Sequence, residues 1–120
     1  MHVLIVEGDD ALAALWRSHI ERNGARVSHA RDQEQAVKVL QHDRVDVIIL
    51  DLEPESGSAI AIADFAAYRH PQTQIVPVTK TNFFSDGSVF QHLPNVCSYQ
   101  SAGAPPEDLA AIVDHYGPRG

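Results

Sequence analysis

Short apolar runs recur along the chain, and segments with helical periodicity separate them. Val3–Val6 and Val45–Leu50 are apolar at almost every position, as expected of parallel strands that are covered on both faces. Between and after these runs, apolar residues recur every three or four positions, which indicates amphipathic helices. The alternation of strand and helix predicts an α/β fold with a doubly wound parallel sheet.

The pattern predicts five strands, each followed by a helix. The predicted strands lie near residues 2–6, 26–29, 45–50, 75–78 and 96–99. Asn23-Gly24 predicts the end of the first helix, and Asp32 is the expected N-cap of the second. The positions expected to pack on the sheet are Leu12, Leu15, Trp16, His19 and Ile20 in the first helix, Ala36, Val37 and Leu40 in the second, and Leu109, Ile112, Val113 and Tyr116 in the last.

Two of the predicted strands end in carboxylates. Asp51 directly follows the run Val47–Leu50, and Glu7-Gly8-Asp9-Asp10 follows the first strand. Parallel strands present their carboxyl ends at one edge of the sheet, where α/β proteins bind ligands. We therefore expect these acids to meet, and Asp51 is a candidate nucleophile or metal ligand.

Length and composition are those of an ordinary globular protein. The 120 residues, of which 44% are hydrophobic, are enough for one compact core. We expect a single domain over residues 1–116 and take 117–120 as a terminal tail or the start of a linker.

Charge and apolar content exclude several classes of protein. The formal charge of -7 and the scattered positions of the nine basic residues argue against nucleic acid as a direct ligand. No segment approaches the roughly 18 apolar residues of a membrane span, and no signal peptide is recognisable, so we expect a cytoplasmic protein without a membrane partner. Cys97 is the single cysteine, which excludes a disulfide framework and a cysteine metal site.

Several spaced motifs resemble the receiver domain of response regulators, the CheY-like phosphoacceptor module of two-component signalling. The motifs are Val3–Glu7, Asn23-Gly24, Ala30–Ala36, Val45–Leu52, Val76–Thr79, Tyr99 and Pro106–Leu109. The resemblance covers essentially the whole chain. It implies a flavodoxin-like, five-stranded parallel sheet with the strand order 2-1-3-4-5.

The resemblance also implies roles for individual residues. Asp51 would accept a phosphoryl group from a histidine kinase or a phosphotransfer protein, and the domain would act through contacts with a protein target and not as an enzyme. Thr79 matches the hydroxyl that contacts the phosphoryl group, and Tyr99 matches the aromatic residue whose orientation reports activation. Alternatively, Thr79 only caps the following turn and Tyr99 only packs in the core.

Two departures from the family pattern weaken the expected chemistry. The family has two adjacent acids after the first strand, whereas this chain has Glu7-Gly8, and Gly8 has no side chain to bind a cation. A one-residue insertion would bring Asp9 into that role. The family also has a lysine where this chain has Ala102, and losing such a donor typically costs on the order of 3 kcal/mol. We therefore expect a weak or absent magnesium site at Glu7, Asp51 and, with the insertion, Asp9.

Other residues could compensate or serve a partner. Lys80 could bring an ammonium group over Asp51, and Glu53 could offer a carboxylate to the metal. Alternatively, both are solvated charges at a loop mouth. Phe83 and Phe84 follow the fourth strand. They either fill the core or anchor a protein partner or a second copy of the chain.

Three alternatives remain open at this point. A receiver-like domain could bind partners without phosphotransfer. A haloacid-dehalogenase-type phosphatase would also use a strand-end aspartate, a threonine and a lysine. A nucleotide or flavin binder of this fold class would need a glycine-rich phosphate loop, which this chain does not have. The seven histidines show no paired ligand spacing, and His29 and His70 are expected at the surface.

Overall fold

The computed structural model describes residues 1–53, 57–79, 100–101 and 105–117. Its strands are β1 (His2–Val6), β2 (Arg26–Ala30), β3 (Val47–Asp51), β4 (Gln74–Thr79) and β5 (Gln100–Ser101). Its helices are α1 (Asp10–Arg22), α2 (Gln33–His42), α3 (Ala59–Arg69) and α4 (Pro106–Tyr116). Within these residues, no helix has the length and apolar character that would let it cross a membrane.

The strands form one parallel sheet in the order β2-β1-β3-β4-β5. The predicted fold class and strand order are therefore confirmed. The last described strand, β5, begins one residue beyond the predicted range 96–99. Residues 96–99 themselves lie outside the described residues. Parallel pairing brings the carboxyl ends of β1, β3 and β4 to the same edge of the sheet.

Alternate residues of the central strands pack into two separate cores. Val3, Ile5, Val47, Ile49, Val76 and Val78 face α1 and α4. Leu4, Val6, Ile48, Leu50 and Ile75 face α2 and α3. All five residues of β1 and of β3 are buried, which explains why these strands are apolar at nearly every position.

Side-chain caps define where the helices begin. Asp9 Oδ1 accepts the N–H of Leu12 at the start of α1 at 3.1 Å, and Asp32 Oδ1 accepts the N–H of Gln35 in α2 at 2.9 Å. The predicted cap at Asp32 is confirmed. At the other end of α1, Gly24 has a φ of +92°, a conformation that glycine adopts without steric cost.

The predicted packing faces of α1 and α4 are wrong at one position each. Leu15 is 45% exposed and Tyr116 is 38% exposed. In α1 the small side chain of Ala13 and the large one of Trp16 place the buried stripe on the side away from Leu15. Tyr116 lies in the last turn of α4, where the helix has passed the buried position Val113.

Helices α2 and α3 are tied together at both ends. Gln33 Oε1, in the first turn of α2, accepts the N–H of Ser58 at 2.8 Å. At the other end, Arg69 Nη2 donates to the carbonyl of Gln41 at 3.1 Å, and His70 Nε2 donates to that of Leu40 at 2.8 Å. His70 is therefore half-buried, and its predicted place at the surface is wrong.

Candidate functional site

Two buried carboxylates lie at the carboxyl ends of the neighbouring strands β1 and β3. Val6 and Leu50 are partners in the register of these strands, and Glu7 and Asp51 are the next residues along each chain segment. Glu7 is 0% exposed and Asp51 is 1% exposed. The acids that the sequence predicts at one sheet edge are thus brought to that edge.

The backbone of Glu7 is held by β2. Its N–H donates to the carbonyl of Ala30 at 3.0 Å, which continues the pairing of β1 with β2 by one residue. Its carbonyl accepts a hydrogen bond from His29 Nε2 at 2.7 Å. The side-chain Oε2 of Glu7 also lies 3.4 Å from the N–H of Asp9, so the short segment after β1 folds back over the carboxylate.

Asp51 is oriented by the turn that follows it. Its Oδ1 accepts the backbone N–H of Glu53 at 3.0 Å. The N–H of Leu52 donates to the carbonyl of Val78 at 3.1 Å, which anchors the start of the same turn to β4. The Glu53 side chain is exposed.

Thr79 reaches the same edge from the next strand. Asp51 is the register partner of Val78, and Thr79 follows Val78 as the last residue of β4, half-buried. The predicted positions Lys80, Phe83, Phe84, Tyr99 and Ala102 lie outside the described residues.

Gly8 and Asp9 differ sharply in what they do. Gly8 directly follows Glu7 and is half-buried. Asp9 is exposed and is the N-cap of α1, with Oδ1 bonded to the N–H of Leu12. The capping bond engages one oxygen of the Asp9 carboxylate, and Asp9 lies outside the buried pair formed by Glu7 and Asp51.

The buried pair suits a hard divalent cation. Among residues 1–53, 57–79, 100–101 and 105–117, no group of three or more His, Cys, Asp and Glu side chains is arranged to hold a metal ion. Mg²⁺ commonly binds through only one or two carboxylates, keeps several waters and adds substrate phosphate oxygens. Glu7 and Asp51 supply two buried carboxylates, the ligand type that Mg²⁺ takes, and they are the described residues that could hold such an ion.

His29 is the site neighbour that the sequence did not reveal. Its predicted place at the surface is wrong, because the ring is half-buried and bonded to Glu7. One signal was available: Val27, two positions earlier on the same face of β2, is buried in the core beneath α1. Strand alternation therefore directs His29 toward that face as well.

The fold and the strand-end acids define a flavodoxin-like α/β architecture with its site at the carboxyl edge of the sheet. The family model of the response regulator receiver domain matches residues 3–87. The chain therefore belongs to the response regulator receiver domain family of two-component systems.

Several solved structures share this fold. A CheY-like receiver domain protein from Methanospirillum hungatei JF-1 is 18% identical with a TM-score of 0.85, covering 95% of this chain and 90% of that chain. The N-terminal domain of a response regulator/sensory box/GGDEF protein from Carboxydothermus hydrogenoformans is 20% identical with a TM-score of 0.85, covering 97% and 93%.

A third similar structure was solved with a metal complex. The response regulator TrrA from Thermotoga maritima, in complex with Mg²⁺ and BeF, is 17% identical with a TM-score of 0.82, covering 96% of this chain and 97% of that chain. At these identities the likeness concerns the fold alone. A comparison with curated proteins finds no significant match.

Proposed function

We propose that Asp51 is the phosphoacceptor of this receiver domain and that its phosphorylation alters contacts with a protein target. The observation that carries the proposal is the place of Asp51 at the buried carboxyl end of β3, in register with Val78. Thr79 on β4 and Glu7 after β1 flank it. A carboxylate held in this way is a suitable oxygen nucleophile.

The transfer would proceed by attack of an Asp51 carboxylate oxygen on phosphorus. An acyl phosphate forms, the bond from phosphorus to the donor breaks, and the donor histidine or small phosphodonor leaves with its electron pair. The bond from the Glu53 N–H holds Oδ1 of the carboxylate, and such positioning is a large part of catalysis in phosphoryl transfer. Thr79 would donate its hydroxyl to a phosphoryl oxygen.

Magnesium would be held by Glu7 and Asp51, where it neutralises the charge between carboxylate and phosphoryl oxygens. Gly8 offers no third carboxylate, and the exposed Glu53, two residues after Asp51, could add one. We therefore propose a weak magnesium affinity and slow phosphorylation. Lys80 would supply the cation that Ala102 does not.

The same departures favour a second candidate function. With Gly8 in place of an acid and Ala102 in place of a lysine, the domain could bind its partners in one state, without phosphotransfer. In either case it acts as a cytoplasmic signalling module and not as an enzyme. Its proposed partners are a histidine kinase or phosphotransfer protein and a protein target, with Phe83 and Phe84 as contacts for that target or for a second copy.

The decisive experiment is to incubate the protein with acetyl phosphate, or with a phosphorylated histidine kinase, at saturating Mg²⁺ and to map the product by mass spectrometry. We expect an acyl phosphate on Asp51 that is lost in Asp51→Asn. Asp46→Asn is the matched control, because Asp46 lies before β3 at the opposite end of the strand, where it binds the N–H of His2.

The other outcomes separate the alternatives. Absence of acyl phosphate in the wild-type protein would overturn the phosphoacceptor proposal and support partner binding without phosphotransfer. Hydrolysis of phosphomonoesters that disappears in Asp51→Asn would instead indicate a phosphatase.

A further inference from the structure

We infer that His29 is a positioning residue for the site, because its imidazole fixes the peptide unit that carries Glu7. The inference rests on the proposed function in one respect: its consequence for rate requires that Asp51 accept a phosphoryl group. The contact itself, from His29 Nε2 to the Glu7 carbonyl at 2.7 Å, does not depend on that function.

The position of His29 on β2 explains why its ring reaches this carbonyl. His29 is the register partner of Ile5, and Ala30 is the partner of Val6. In a parallel pair, partner residues place their side chains on the same face of the sheet, so His29 shares the face of Ile5 and Val27 beneath α1. At the end of the strand this face meets the segment that connects β1 to α1.

The ring replaces a backbone partner that β2 does not provide. The Glu7 N–H is bonded to the carbonyl of Ala30, the last residue of β2. The pairing of β1 with β2 ends there. The Glu7 carbonyl is therefore bonded to the His29 side chain and not to a backbone N–H of β2. With both its N–H and its carbonyl bonded, Glu7 has a fixed backbone on either side of its Cα, and this sets the direction of its buried carboxylate.

The contact also defines where the proton of the ring lies. A carbonyl oxygen only accepts hydrogen bonds, so Nε2 must carry hydrogen. The neutral ring protonated at Nε2 and the imidazolium both satisfy this, whereas the neutral ring protonated only at Nδ1 does not. A neutral His29 is therefore held as the Nε2–H tautomer.

Two substitutions distinguish positioning from packing. His29→Leu fills similar space but cannot donate to the carbonyl. His29→Gln places an N–H near the position of Nε2 and can donate. His29→Asn also carries an amide but is too short to reach Glu7, and it is the matched control for the chemistry of the side chain.

The rate of Asp51 phosphorylation by acetyl phosphate, followed over a range of Mg²⁺ concentrations, gives the first readout. We expect His29→Leu and His29→Asn to lower the rate or raise the half-saturating Mg²⁺ concentration about fivefold, the equivalent of one ordinary hydrogen bond. His29→Gln should recover most of the loss. Wild-type behaviour in all three variants, or equal loss in the Leu and Gln variants, would overturn the inference.

A second readout separates this inference from the proposed function. The ¹⁵N shift of Gly8 and the ¹³C shift of the Glu7 carbonyl report the hydrogen bond at their shared peptide unit. If the wild-type protein takes up no phosphoryl group, the proposed function fails, and these shifts alone decide the role of His29. A change in His29→Leu that His29→Gln reverses supports the inference, and unchanged shifts refute it.

Discussion

Glu7 and Asp51 stand one position beyond the register partners Val6 and Leu50, so two buried carboxylates share the edge between β1 and β3. Burial of like charges is costly unless they are paired, hydrogen-bonded or bound to a cation. A divalent ion bound by Glu7 and Asp51 would therefore offset the cost of burying the two charges.

Replacing Glu7 with glutamine removes one charge of the pair and keeps the size of the side chain. We expect the half-saturating Mg²⁺ concentration for phosphorylation to rise by at least about tenfold, since even indirect partners of a metal contribute that much. Glu34→Gln makes the same change at an exposed position of α2 and should leave the Mg²⁺ dependence unaltered. An unchanged titration in Glu7→Gln would show that Glu7 does not bind the ion.

Gly8→Asp adds a carboxylate beside Glu7 and should strengthen Mg²⁺ binding by about tenfold, because affinity rises with the number of charged ligands. The backbone accepts the change, since Gly8 is not among the described glycines with positive φ. Gly8→Ala is the control for altered backbone freedom and should leave the affinity as it is. Equal effects of the two variants would contradict the role assigned to this position.

Asp9 is expected to act on the stability of the protein and not on its metal affinity. Asp9→Ala loses the bond to the Leu12 N–H and should lower the free energy of unfolding by about 1 kcal/mol. Asp9→Ser retains a capping oxygen, so its free energy of unfolding, measured by urea titration, should be close to that of the wild-type protein. If Asp9→Ser weakens Mg²⁺ binding as strongly as Glu7→Gln does, Asp9 and not Gly8 occupies the position of the metal ligand.

Gly57→Ala should destabilise the protein by about 2–4 kcal/mol. Gly57 has a φ of +89°, and a Cβ placed there would lie 2.5 Å from Gln33 Oε1, so backbone strain and overpacking both contribute. Gly24→Ala is the matched control, because Gly24 has nearly the same φ but open space around it. Gly24→Ala should lower the free energy of unfolding by about 1 kcal/mol. Equal losses in Gly57→Ala and Gly24→Ala would contradict the clash with Gln33.

Most of the fold could be predicted because its signals are local. Runs such as Val47–Leu50 are apolar on both faces, and caps such as Asp32 mark helix ends within a few residues. The exposure of Leu15 could not be predicted, since helical spacing alone does not decide which of two neighbouring apolar stripes lies against the sheet. That choice depends on how Ala13 and Trp16 fit the strands below.

Only the site residues at the ends of strands could be predicted from the sequence. Glu7, Asp51 and Thr79 each end or follow an apolar run, and parallel pairing then brings them to one edge. His29 does not end an apolar run, and the alternation with Val27 indicates which face its ring takes but not which group it contacts. Its contact with the Glu7 carbonyl depends on the register of β1 and β2, which becomes known only with the structure.

The ties between α2 and α3 have a consequence for how this domain would transmit a change at its site. Gln33 holds Ser58 near the start of both helices, while Arg69 and His70 hold the carbonyls of Gln41 and Leu40 at their ends. Sliding of one helix along the other would break all three bonds. A movement of α3 along its own axis would therefore carry α2 with it, so these two helices would shift as a pair.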